Sequence, residues 1–263
     1  MSIGYSTQKG LANSNPMRRW SQMVSYTTPP APPVTNPVIG MTAQNNAITS
    51  TAQVKYGTAA FLANGTSGND YILNTSGDFA WWPSGTSDFT VQWWQYIPSG
   101  TSNNYMEFAS NEESGGGFGY RLGPGYGAAS YQGVNIFARG QADLNYSTNT
   151  WVNDTWQFVS ICRNAATMYI HVDGVSQALS GSGGGARNFT ATSGLSKISI
   201  GTAGGGGLRG VYVDDWQMFA ATALYTAATY SVPTSQASLT VGTTALFNFN
   251  GTNGGTSFPN VTS

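Results

Sequence analysis

Charge is what this chain has least of. Asp, Glu, Lys and Arg make up 8% of its 263 residues, against about 25% in an average soluble domain. Its polarity comes from Ser, Thr, Asn, Gln and Gly instead. With three lysines (Lys9, Lys55, Lys197) and a net charge of −1, it lacks the clustered cations that grip phosphate, so no nucleic-acid partner is expected. One cysteine, Cys162, excludes an intrachain disulfide. Within WQFVSIC it alternates with apolar residues, which reads as a buried, inert thiol. No apolar run approaches a membrane span, and the first 20 residues hold none at all, so neither a membrane partner nor a secretory signal is expected.

Catalytic groups are equally scarce. The three glutamates, Glu107, Glu112 and Glu113, all lie in YMEFASNEESGGG, without the spaced pair of acids on one strand face that sugar hydrolysis requires. The lone histidine, His171, alternates outward beside a turn with no nucleophile at a useful spacing, and reads as a surface residue. The Gly204–Gly207 run precedes a strand rather than a Lys-Ser and a helix, so it is no phosphate loop. The chain therefore reads as non-enzymatic.

Short alternating segments are what it has in abundance. In DFTVQWWQYIP, Phe89, Val91 and Trp93 share one face while Thr90, Gln92 and Trp94 share the other, the pattern of a half-buried strand with an aromatic outer side. YILNT, YMEFAS, GFGYRLG, VNIFARG, WQFVSICR, TMYIHV and KISIG follow suit, separated by Gly-rich turns, and Asp173-Gly174 is a strong hairpin signal. No stretch sustains helical periodicity. In VYVDDWQMF, Val211 and Val213 fall out of phase with Trp216 and Met218 by one residue, which predicts a β-bulge at Asp214-Asp215. The pattern as a whole predicts an all-β, two-sheet antiparallel sandwich.

Residues 1–44 differ from the rest. They are polar and aperiodic and carry five prolines between Pro29 and Pro37, so they read as a stiff extended arm. Arg18, Arg19, Trp20, Pro29, Pro30, Pro32 and Pro33 are its candidate docking residues for a neighbouring subunit.

The order of AITSTAQVKYGTAAFLANG, NDYILN, SDFTVQWWQYIP, DTWQFVSICR, YIHVDGV, LSKISIG and GVYVDDWQM resembles the laminin-G-like, concanavalin A-like lectin-glucanase jelly-roll superfamily. The likeness covers residues 45–235. The family's usual opening strand is missing ahead of residue 47, and a close counterpart, TTALFNFNGTNGGTSFPN, stands within residues 236–263. That strand must complete its own sandwich or pair with a neighbour, because an open edge invites aggregation. The wording of the strands is also similar to that of lectin-like structural proteins of tailed phages, including cyanophages.

The resemblance implies a surface-displayed virion accessory protein, assembled in the host cytoplasm, docked by its arm to capsid or tail subunits and forming homo-oligomers. An alternative is a receptor-binding tail or fibre protein that recognises cell-surface glycan. A polysaccharide-degrading enzyme is disfavoured by the missing acid pair. For a glycan or an interface, Trp81, Trp82, Tyr126 and Tyr131 are the candidates, placed in loops with Gly, Ser and Asn. No cofactor is required. The one metal the resemblance admits is Ca2+, held by Asp70, Asp214 and Asp215 at a rim site.

Overall fold

The computed structural model describes residues 38–64, 70–74, 80–83, 86–100, 107–110, 120–127, 131–138, 144–146, 152–165, 167–180, 198–201 and 210–262. The seven arm residues named above lie outside that set. Pro33–Ser263 forms one compact unit, and the first strand already runs at Thr42–Gln44.

The strands in chain order are β1 (Thr42–Gln44), β2 (Ala47–Ser50), β3 (Ala60–Ala63), β4 (Tyr71–Asn74), β5 (Phe89–Tyr96), β6 (Glu107–Ser110), β7 (Tyr120–Gly127) and β8 (Tyr131–Ala138). They continue as β9 (Leu144–Tyr146), β10 (Trp156–Asn164), β11 (Thr167–Val172), β12 (Val175–Ser176), β13 (Leu179–Ser180), β14 (Ile198–Gly201), β15 (Tyr212–Phe219) and β16 (Ala245–Phe247). Among the described residues there is no helix. One sheet has the order β1-β4-β14-β6-β7-β8-β9-β13, the other β12-β11-β10-β5-β15-β3-β2, with β16 also on β15. The neighbouring strands that exchange hydrogen bonds are antiparallel. The described part is an all-β antiparallel sandwich, as the alternation predicts, of the jelly-roll kind that the resemblance implies.

Phe89, Val91, Trp93, Val159, Ile161, Ile170, Val213 and Met218 of the second sheet pack with Ile72 and Val134 of the first in a single core. The phase slip in β15 is real. Asp214 faces Trp94 but Gln217 faces Gln92, so two residues of β15 oppose one of β5. Asp215 takes φ +47°, and the extra residue returns Val211, Val213, Trp216 and Met218 together to the core. At the bulge β15 also changes its other neighbour. Tyr212 and Val213 pair with β3, whereas Trp216 to Met218 pair with β16.

The displaced strand closes on its own chain. Trp216 faces Phe247 in the β15–β16 pair, and Phe249 and Phe258 pack at 5.6 and 5.8 Å from the Phe61 ring. Thr49 exchanges backbone hydrogen bonds with Gly254 and Gly255, and Ile39 N–H donates to Asn260 Oδ1 at 2.9 Å. The C-terminus thus supplies what the start of the domain lacks.

Two expectations fail at the second sheet's other face. β5 is buried on both faces up to Gln95, not half-buried, because residues 222–238 lie across it. There Leu224 N–H donates to Thr90 Oγ1, Tyr225 Oη donates to Gln92 Oε1, and Gln217 Nε2 donates to Ser238 O. His171 is under the same cover and fully buried, not on the surface. Its Nε2 lies 2.8 Å from Ala227 O and its ring 5.0 Å from that of Tyr230. Alternation along β11 does point it away from the core, but a loop without periodicity covers that side. Cys162 is buried here too, with its thiol pKa pushed up by burial. The Asp173-Gly174 hairpin forms as expected, with φ +50° and +77° in a turn of the type I′ kind.

Candidate ligand-binding row

The cover stops short of one rung. Trp156 of β10 faces Tyr96 of β5, and Tyr96 faces Tyr212 of β15, so in-register pairing sets three aromatic side chains in a line across three strands. Ring centroids are 5.7 Å apart for Tyr96–Trp156 and 5.9 Å for Tyr96–Tyr212, at 54° and 84°. All three are partly exposed, whereas Trp94 and Phe158, one rung inward, are closed off and 5.1 Å apart. Rings on strands are held more firmly than rings on loops, which suits a recognition surface.

Asp154 edges the row. It takes φ +59° in the tight corner between Val152 and Trp156, and its N–H donates to Ile97 O at 2.9 Å. Its Oδ1 accepts from Ser99 N–H at 2.9 Å and from Tyr96 Oη at 3.5 Å, the outer limit of a hydrogen bond. The Ser99 backbone bond holds its pKa below the ordinary value, so an exposed anion stands at the rim at neutral pH. Partial desolvation and that same anion raise the Tyr96 phenol. Deeper in, Lys55 Nζ sits 3.8 Å from the centre of the Trp94 ring, a cation–π contact that commits its charge.

The aspartate pair at the bulge serves the scaffold. Asp214 Oδ2 accepts from the N–H groups of Lys55 and Tyr56, each at 3.0 Å, and its Oδ1 from Asp215 N–H at 2.9 Å. Asp215 Oδ2 accepts from Ala237 N–H at 2.7 Å. Burial raises Asp214 to about 7 and Asp215 to about 6. Asp70 does not join them. It holds Asn46 N–H at 3.0 Å, roughly 13 Å along β3 from the level of Asp214, counted as four residues of register. Among the described residues no group of three potential metal ligands converges. The three aspartates therefore do not form the common calcium donor set expected of them.

Trp81 and Trp82 need the same correction. They are 1% and 2% exposed, stacked edge to face at 5.8 Å, with Trp81 also against Trp216 and Phe247. Neither offers a face to a sugar or a partner, because the loop that carries them plugs the core. Tyr126 and Tyr131 lie on β7 and β8 rather than in loops, and their side chains are outside the described part, as are Glu112 and Glu113. Sequence reading missed Tyr96, Trp156 and Tyr212. Tyr96 and Trp156 stand at strand ends beside polar corners, but nothing local marks them as neighbours.

Away from the row, an open groove of about 650 Å³ runs between residues 39–45 and 256–259. No charged side chain lines it, and its one ring, Phe258, is buried.

No family model and no curated protein matches this chain. Solved structures do. Domain 4 of AbnA, an extracellular arabinanase of glycoside hydrolase family 43 from Geobacillus stearothermophilus solved in complex with arabinotriose, superposes with a TM-score of 0.51 at 12% identity, over 72% of this chain and 85% of that one. The cellulose-induced protein Cip1 gives 0.42 at 16% identity, over 74% and 91%. The botulinum neurotoxin serotype D binding domain gives 0.44 at 14%, over 70% of this chain and 43% of its own length. At 12% identity the likeness to the AbnA domain is one of fold alone, and it agrees with the all-β sandwich described above.

Proposed function

We propose that this protein is a non-enzymatic, lectin-like module that binds glycan on the Trp156–Tyr96–Tyr212 row. The observation that carries the reading is the row itself: three partly exposed rings in one line, with a hydroxyl-accepting carboxylate at the edge. Sugar rings present apolar C–H faces that pack on aromatic rings, and their hydroxyls need acceptors such as Asp154. The AbnA domain of similar fold was solved with arabinotriose, which makes short oligosaccharides the first ligands to try. A lectin role rather than hydrolysis fits the local acids. Among the described residues Asp154 edges the row alone, while Asp214 and Asp215 accept from backbone amides inside the fold. Retaining or inverting hydrolysis needs two carboxyls flanking one bond.

The setting we propose is the surface of a tailed-phage particle. Copies assembled in the host cytoplasm would dock through residues 1–37, the part of the arm ahead of the sandwich, to capsid or tail subunits, and repeated display would multiply weak sugar contacts into avidity. The resemblance of the strands to lectin-like phage proteins and the Pro-rich arm support this setting. A glycan array probed with the full chain and with Tyr96→Ala and Trp156→Ala tests the binding. Retention of every positive spot by both variants would sink the row as the site. Particles assembled with a chain lacking residues 1–37 test the docking, and undiminished incorporation would remove the arm from the proposal.

A further inference from the structure

The rung that carries the three rings does not stop at Tyr212. Tyr212 faces Leu62 of β3, and Leu62 faces Ile48 of β2. Trp156, Tyr96, Tyr212, Leu62 and Ile48 therefore occupy one register line across five adjacent strands, β10, β5, β15, β3 and β2. Four interstrand steps make that line roughly 19 Å long. Its ends are partly open. Trp156, Tyr96, Tyr212 and Ile48 are all partly exposed, and Leu62, at 6%, is buried between Tyr212 and Ile48.

Resting on the glycan-binding reading above, we infer that the site takes a linear, uncharged oligosaccharide laid across the strands, rather than a single terminal sugar or an acidic one. Length argues for the chain. A single ring would cover one of the aromatic faces and leave the other two rings and Ile48 partly in water, whereas an extended oligosaccharide would reach all four. Direction follows from register, since in-line residues on antiparallel neighbours point to the same side and the apolar line runs perpendicular to the strands. Charge decides the class. Among the described residues the exposed carboxylate at the row is Asp154, which touches the Tyr96 hydroxyl. Among the described residues the cation at the inner rung is Lys55, which is held against Trp94. Within a Debye length of about 8 Å, a uronic or sialic acid on the row would meet a like charge that salt screens only in part, while neutral hydroxyls would meet an acceptor.

The test is calorimetric titration of the full chain with neutral arabino-, xylo- and cello-oligosaccharides from disaccharide to hexasaccharide, alongside oligogalacturonates of matching length. In whichever neutral series binds, affinity should rise by about tenfold or more between disaccharide and hexasaccharide. Trp156→Ala and Ile48→Ser should each lower hexasaccharide affinity more than disaccharide affinity. Equal affinity at all lengths, or acidic chains binding as well as neutral ones, would overturn this inference and leave the glycan-binding reading in place. Absence of binding to every series and to every array glycan would remove both.

Discussion

Asp215 and Asn248 hold the same residue from opposite strands. Asp215 Oδ2 accepts from Ala237 N–H at 2.7 Å while Asn248 Nδ2 donates to Ala237 O at 3.1 Å. The two positions lie one step beyond the Trp216–Phe247 pair, and Oδ1 of each is buried without a hydrogen-bond donor. Burial opposes ionisation and raises Asp215 to about 6, against the Ala237 N–H and the Gln236 side chain, which favour the carboxylate. Asp214 behind it stands at about 7 for the same reason.

These two carboxyls hold their protons more tightly folded than unfolded, so between about pH 4 and pH 7 the native state binds more protons and stability falls as pH rises. Asp215→Asn keeps an acceptor for Ala237 and removes the buried charge. The variant should be more stable than the parent at pH 8 by about 1 kcal/mol, a gain that shrinks at pH 5. Urea midpoints at the two pH values check this, and a variant less stable at pH 8 would refute the assignment.

His171 acts in the opposite sense. Burial lowers its pKa below 6.5, and its Nδ1 has no partner. The unfolded chain therefore takes up the proton first, and stability drops as pH falls through about 6.5. His171→Phe should lose about 1 kcal/mol at pH 7.5 with the Ala227 hydrogen bond but decline less than the parent between pH 7 and pH 5. Parallel slopes would show that the imidazole does not titrate on unfolding.

The hairpin that precedes the covering loop is locked to it at Gly174. Gly174 O accepts from Tyr230 N–H at 2.9 Å, and a Cβ at Gly174 would collide with the Tyr230 carbonyl oxygen, at φ +77° besides. Gly174→Ala should cost about 2 kcal/mol or more and speed hydrogen exchange at Ser176, whose N–H donates to Ala228 O. A neutral substitution would mean the loop is not clamped there.

How far the sequence was legible follows from the range of each signal. The bulge could be read because a phase slip is local: Val213 and Trp216 cannot share a face without an extra residue. The C-terminal strand could be read as displaced because GTNGGTSF keeps its wording wherever it stands, although only pairing with β15 shows that it closes in cis. His171 and the outer face of β5 were misjudged because their cover, residues 222–238, has no periodicity of its own. The aromatic row was invisible for a stronger reason. Tyr96, Trp156 and Tyr212 meet only through the register of three strands distant in sequence, whereas the adjacent pair Trp81-Trp82 draws the eye without revealing its burial.

That contrast can be measured as a double dissociation. Trp81 contacts Trp82, Trp216 and Phe247 in the core, so Trp81→Ala removes a large buried ring and should destabilise the fold by about 3–5 kcal/mol. Where the variant remains folded, at low temperature, its affinity for an oligosaccharide should be close to that of the parent. Trp156→Ala sits at a strand end with its ring partly in water, so unfolding should barely shift while affinity falls on the order of tenfold. Thermal melts and titrations on the same two preparations separate the roles. If Trp81→Ala abolished binding in a fully folded protein while Trp156→Ala left it intact, the binding face would lie by the Trp81 loop, and the row across β10, β5 and β15 would be packing alone.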